Sequence, residues 1–156
     1  MADLFRANDV ALLAIEIEKR GEKFYYLLSE KAEDSRTRKI FIGLAKAEVK
    51  HKKIFEALYE RLGEVDLPAW SNEAEFLSYL NALIDTHTLF RKDDLDQLPE
   101  TIKTRKDAIE MAMGFEKESI LVFMEMKEFV PESEKKYIAQ CIEEERSHLR
   151  LLSEML

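Results

Sequence analysis

The stretch Phe41-Ile42-Gly43-Leu44-Ala45-Lys46-Ala47-Glu48-Val49-Lys50-His51-Lys52-Lys53-Ile54-Phe55-Glu56-Ala57-Leu58 decides the fold. Within it Phe41, Leu44, Glu48, His51, Phe55 and Leu58, continued by Leu62, follow one another at steps of three and four, so they share one face of an α-helix. That face is apolar at both ends and carries a carboxylate and an imidazole in its middle. It is the face a helix buries, so the interruption sits where a core is expected.

The same interruption recurs elsewhere in the chain. Ile138, Cys141, Glu145, His148, Leu152 and Met155 repeat the pattern; Ala11, Ala14, Glu18, Gly21, Tyr25 and Leu28 give a third seam, and Ile109, Ala112, Glu116, Ser119, Phe123 and Met126 a fourth. Each seam holds one glutamate. Nothing alternates with period two for long enough to read as a strand, so the chain is expected to be all-α. Cap and breaker residues bound the helices at about 9–32, 35–62, 102–130 and 133–155. Asn8 or Asp9 opens the first and Asp34 or Ser35 the second, which stops at Gly63. Thr101 or Thr104, the latter with Asp107 three residues on, opens the third, and Val130-Pro131 closes it ahead of Ser133.

Residues 63–101 form a connector in which Pro68, Trp70, Pro99 and the cluster Lys92-Asp93-Asp94-Leu95-Asp96 frame one short apolar-periodic helix, Glu73 to Asp85. Such a connector is too long for an ordinary loop. It can cross the full length of helices about 40 Å long, which would make helices 2 and 3 parallel. The expected architecture is a four-helix bundle with a long crossover between helices 2 and 3, one domain over residues 1–156.

Composition narrows the function. Of 156 residues, 46% are hydrophobic and 36% charged, with four glycines and three prolines, which suits one helical domain. A net charge of −8 leaves no basic face for a phosphate backbone, so nucleic acid is not an expected partner. The single cysteine, Cys141, excludes a disulfide framework and any four-cysteine metal site within the chain. No signal-like apolar run opens the sequence and no stretch approaches the roughly 18 apolar residues of a membrane span, so a cytoplasmic protein without membrane contact is expected.

The two halves of the chain resemble each other. Glu18 and Glu116 each have alanine at −4, lysine at +1, a small residue at +3 and an aromatic at +7, and a Glu-x-x-His follows 30 residues after Glu18 and 29 after Glu116. In two antiparallel hairpins turning near Glu33 and Pro131 these spacings put all partners at one height, some 22 Å from the turns. Four carboxylates and two imidazoles therefore converge at mid-bundle. Unneutralised, such a core would cost several kcal/mol or more per buried charge. Two divalent cations would balance four glutamates, and oxygen-rich ligation with one nitrogen per metal suits iron or manganese. The small residues Ala14, Gly21, Ala112 and Ser119 would leave room beside the glutamates for metals, water or dioxygen.

The two Glu-x-x-His motifs, the extra glutamate on each partner helix and the run Ala14-Ile15-Glu16-Ile17-Glu18-Lys19-Arg20-Gly21-Glu22-Lys23-Phe24-Tyr25 resemble the ferritin-like superfamily, specifically a rubrerythrin-like diiron-carboxylate protein without the rubredoxin-type domain. The resemblance covers essentially all four helices. It implies a ferritin-like bundle with two iron ions, or manganese or a mixed pair, and no haem. Glu18 and Glu116 would be terminal ligands, Glu48 and Glu145 would bridge, and His51 and His148 would each bind one metal. The implied chemistry is oxidation of Fe(II) by dioxygen or hydrogen peroxide, for peroxide defence or iron handling, carried by those six residues. Two departures matter: Ser119 stands where peroxidase-type rubrerythrins usually carry a further glutamate, and one cysteine cannot build the appended iron domain, so an electron donor would be a separate protein.

The alternatives are a non-catalytic iron-binding, storage or interaction module on the same bundle, a substrate hydroxylase, or a hydrogen-bonded polar core of protonated glutamates. A homodimer or higher homo-oligomer is expected. Glu16, Glu22, Glu118, Glu143 and Glu144 read as solvated face, His87 as a surface or packing residue, and Cys141 as a buried inert thiol. Tyr25 reads as a core aromatic that could place its hydroxyl near the metals, Trp70 as an anchor of the connector, and Met111, Met113, Met124 and Met126 as core or subunit contacts.

Overall fold

A computed structural model of the protein describes residues 7–62, 75, 78, 79, 82, 83, 85–87 and 96–156. Helix α1 spans Ala7–Lys31, α2 Ser35–Arg61, α3 Arg105–Lys127 and α4 Glu132–Glu154, and no strand occurs among the described residues. The α1–α2 turn is set by Asp34, whose side chain caps α2 by accepting from the Thr37 backbone at 2.8 Å.

The two hairpins pack with α2 and α3 parallel, as the crossover reading requires. Near their starts Arg105 Nε donates to Thr37 Oγ1, and toward their ends the rings of Phe55 and Phe123 lie 4.8 Å apart. Arg61 pairs with Glu134 and Lys50 with Glu144, so α2 and α4 run antiparallel. Every residue of the four expected seams is buried except His148, which is 14% exposed at its side chain. Periodicity thus located the core.

The helix ends differ from expectation by up to three residues, with local causes. Helix α3 starts at Arg105, not 102, because Thr104 and Asp107 form a reciprocal capping box that fixes the first turn there. It ends at Lys127, not 130, where the Glu128 and Phe129 N–H groups bond back three residues and tighten the chain before Pro131. Helix α4 begins at Glu132 rather than Ser133, with Pro131 before it and no side-chain cap. Helix α1 runs from Ala7 to Lys31 instead of 9 to 32, and α2 stops at Arg61, one residue early.

In the connector the described residues Glu75, Ser78, Tyr79, Ala82, Leu83 and Asp85 are helical, in keeping with the expected short helix. Tyr79 fastens it to α3 by donating to Glu125 Oε1 at 2.8 Å, and Leu83, Leu98 and Ile102 pack on the core. Pro68, Trp70 and residues 92–95 lie outside the described residues. No helix among the described residues is long and apolar enough to cross a membrane.

Candidate metal centre

Each helix delivers its polar seam residue to one level of the bundle. Glu18 comes from α1, Glu48 and His51 from α2, Glu116 from α3, and Glu145 and His148 from α4; all four glutamates are fully buried. Their ligating atoms form two groups within 4.8 Å, one of Glu18, Glu48, His51 and Glu145 and one of Glu48, Glu116, Glu145 and His148. Glu48 and Glu145 belong to both. The six residues singled out in the sequence are therefore all brought together, as two quartets sharing an edge.

Glu145 lies between the imidazoles, with Oε1 3.1 Å from His51 Nδ1 and Oε2 2.8 Å from His148 Nδ1. His51 Nδ1 is also 3.8 Å from Glu18, and His148 Nδ1 3.6 Å from Glu116 and 4.0 Å from Glu48. Both rings thus turn the same nitrogen to the same centre, and they stack at 5.9 Å.

The electrostatics follow from burial without solvent. Burial, joined by the Glu145 and Glu18 charges, holds Glu48 well above the ordinary carboxylate value. Glu18 is raised likewise, first by burial and then by Glu145 and Glu116, with the Glu48 carboxyl working the other way. Burial and the Glu145 charge push Glu116 up to about 8. Burial also disfavours charge on Glu145 and on both histidines, but their mutual hydrogen bonds outweigh it. Glu145 drops below the carboxylate range, while His51 rises to about 9 and His148 to about 10. A core without cations is balanced by protons, with one carboxylate between two imidazolium groups.

That balance leaves oxygens unpaired. Oε1 and Oε2 of Glu18, Oε1 and Oε2 of Glu48, and Oε2 of Glu116 are buried with no hydrogen-bond partner. A hydrogen-bonded polar core would satisfy them, since buried acceptors are nearly always paired. Divalent cations would satisfy all five, and an oxygen-rich set with one imidazole per position is the donor chemistry of iron or manganese. The residues fit the group.

The surroundings settle several further expectations. Tyr25 Oη donates to Glu116 Oε1, so its hydroxyl does reach the cluster. The room expected beside Gly21 is filled: a Cβ there would lie 2.5 Å from Phe115 Cζ and 3.2 Å from Glu48 Oε2, so the missing side chain admits the Phe115 ring and the carboxylate instead. His87 is a packing residue, 1% exposed, with its ring edge-on to Phe115 and Nε2 3.5 Å from Ser119 Oγ; burial depresses it to about 4, so it is neutral. Cys141 is buried, and burial followed by the Glu18 and Glu145 charges raises its thiol far above the usual range, as befits an inert group. Met126 is in the core and Met111 and Met113 pack against it, whereas Met124 is exposed.

Of the glutamates read as solvated face, Glu143 is exposed, but Glu16, Glu22, Glu118 and Glu144 are half-buried. Glu144 departs most: its Oε2 lies 2.9 Å from His51 Nε2. The sequence signal for it was slight, one more acid in the run Glu143-Glu144-Glu145.

Comparison with known proteins agrees with this geometry. The rubrerythrin family profile matches residues 9–156. Among solved structures, a protein of Thermotoga maritima described as a ferritin-like diiron-carboxylate protein is 25% identical over 99% of this chain and 97% of its own, with a TM-score of 0.67. A hypothetical protein from Pyrococcus furiosus shares the fold at 20% identity over 97% of this chain and 88% of its own, with a TM-score of 0.67. No curated protein matches the chain at a significant level. With a ferritin-like bundle and two carboxylate–histidine quartets at its centre, the chain belongs to the rubrerythrin family.

Proposed function

We propose that the protein is a non-haem diiron oxidoreductase, in which the six clustered side chains hold two iron ions and Fe(II) is oxidised by dioxygen or hydrogen peroxide. The observation that carries this reading is the set of five buried carboxylate oxygens without partners beside two imidazoles, His51 and His148, whose Nδ1 atoms lie 3.8 Å from Glu18 Oε2 and 4.0 Å from Glu48 Oε1 respectively. Glu18 and His51 would serve one cation, Glu116 and His148 the other. Glu48 and Glu145 would bridge, a role supported by their membership of both quartets.

When bound, a pair of ferrous ions supplies two electrons for reduction of the oxidant. The side chains hold charge and exclude water. Three carboxyls kept protonated by burial and the two imidazolium groups give up their protons as two divalent cations arrive, so the net charge of the cluster changes only from +1 to 0. Tyr25 keeps its phenolic proton and orients Glu116 by donating to Oε1. Phe115, fully buried beside Glu48 at Gly21, packs edge-on against the Tyr25 ring and is backed by the buried ring of Phe24. We assign the electrons of any peroxide-reducing cycle to a separate donor protein.

Aerobic addition of Fe(II) to the purified protein tests the proposal, with oxidation followed optically and dioxygen and peroxide compared as oxidants. Rapid oxidation saturating near two irons per chain, lost in the Glu48→Ala, Glu145→Ala double variant, is the expected result. Stable binding with no acceleration over that variant would overturn the enzymatic reading and leave an iron-binding module.

A further inference from the structure

We infer that Glu144 is a positioning residue that fixes the His51 imidazole toward one of the two cation positions and so makes the two positions unequal. The inference rests on the diiron reading above and deepens it. An imidazole that binds a cation through one nitrogen carries its proton on the other, and an acceptor at that second nitrogen sets both the tautomer and the ring plane. His51 has such an acceptor: Nδ1 faces Glu145 and Glu18, while Nε2 lies 2.9 Å from Glu144 Oε2.

Glu144 is itself held. Its Oε1 accepts from Lys50 Nζ at 2.9 Å and from Gln140 Nε2 at 3.2 Å, which leaves Oε2 for His51. The contact crosses from α4 to α2, and the Glu144 side chain is only 28% exposed. Glu143, one residue earlier, is exposed and pairs with Arg146 on its own helix.

The internal repeat supplies the contrast. Glu144 immediately precedes Glu145; the residue that precedes Glu48 in the matching position is Ala47. The alanine side chain has no acceptor, so that position of α2 offers His148 no counterpart of Glu144, and the α2 carboxylate near His148 is Glu48, on the Nδ1 side. The described contacts of His148 run through Nδ1, and its side chain is 14% exposed where that of His51 is fully buried. Two quartets with the same ligand types therefore differ in the support behind their histidines.

Zn(II) serves as a diamagnetic probe, with calorimetric titration of wild type, Glu144→Ala, Glu144→Leu, Glu144→Gln and Glu143→Ala. Nitrogen-15 histidine spectra of the Zn(II)-loaded proteins report solvent exchange of the His51 Nε2 proton. Wild type is expected to bind Zn(II) at two positions. Glu144→Ala and the bulk-preserving Glu144→Leu should weaken one position by about 10–100-fold, leave the other unchanged and speed that exchange. Glu144→Gln, which keeps an acceptor, should restore most of the affinity and protection, and Glu143→Ala, which removes the same charge nearby, should change neither. Wild-type affinity and exchange in Glu144→Ala or Glu144→Leu would overturn the role of Glu144 alone, as would an equal loss in Glu143→Ala. Failure of wild type to bind Zn(II) would overturn the metal site and this inference with it.

Discussion

The phenol of Tyr25 on α1 donates its hydrogen bond to Oε1 of Glu116 on α3, joining the first hairpin to the second across 91 positions of sequence. Both side chains are fully buried. Burial, followed by the Glu116 and Glu48 charges, raises the phenol well above its ordinary value, so it remains a neutral donor. Glu116 Oε2 already lacks a partner, so losing the donor would leave the whole carboxyl group without one beyond its neighbours in the cluster. Tyr25→Phe is therefore expected to destabilise the metal-free protein by about 1–3 kcal/mol in denaturant titration. An unchanged unfolding midpoint would show that this bond contributes nothing.

The direction of the pKa shifts fixes how the metal-free protein responds to pH. Glu18, Glu48 and Glu116 are raised, so their contribution is present below the ordinary carboxylate value and is lost as pH rises, through about 8 for Glu116. His51 and His148 are raised from 6.5 to about 9 and about 10, so the stability they gain from Glu145 is full below 6.5 and disappears as pH rises through those values. Both sets act in one direction. Calorimetry of the metal-free protein should show Tm falling from pH 6.5 upward, and saturating Zn(II) should flatten the fall by replacing protons with cations. A Tm that climbs over this range would contradict the charge assignment.

Two glycines in helices should respond oppositely to alanine. At Gly21 the added Cβ would lie 2.5 Å from Phe115, a ring held by Phe24, Tyr25 and His87, and 3.2 Å from the Glu48 carboxylate. Gly21→Ala should cost about 1–3 kcal/mol and weaken cation uptake, because Phe115 and Glu48 must both give way. At Gly43 nothing lies within 4 Å, so Gly43→Ala should stabilise α2 by about 0.5–1 kcal/mol. Paired denaturation curves check both signs.

Away from the centre, the capping box of α3 offers a purely structural control. Thr104→Ala removes the acceptor of the Asp107 N–H and should cost about 1 kcal/mol. Zn(II) stoichiometry should be unaltered, since Thr104 lies three turns before Glu116; a lost cation would show that the cap also sets the register of the ligands.

The seams and the six polar residues interrupting them were legible because helical periodicity belongs to a single segment: a residue three or four positions from a leucine shares its face in any context. Glu48 and His51 could thus be placed on the buried side of α2 before any partner was known. Counting from the turns then set the heights of Glu18, Glu116 and Glu145, since rise per residue is also local. Helix ends were less legible, as at Val130, because a tightened last turn costs little and leaves no periodic trace.

What the sequence by itself determined is therefore the all-α class, the crossover and the convergence of four glutamates and two histidines. Tertiary structure alone decided that Glu144 turns inward to His51, that Phe115 fills the space above Gly21, and that His87 is buried against Ser119. Each of those contacts joins residues on different elements, and each depends on how one helix is rotated against another. A residue one position off the seam, as Glu144 is from Glu145, sits about 100° around the helix, at the boundary between neighbour and solvent. Periodicity is neutral at that boundary, and only the packing angle of α4 against α2 resolves it.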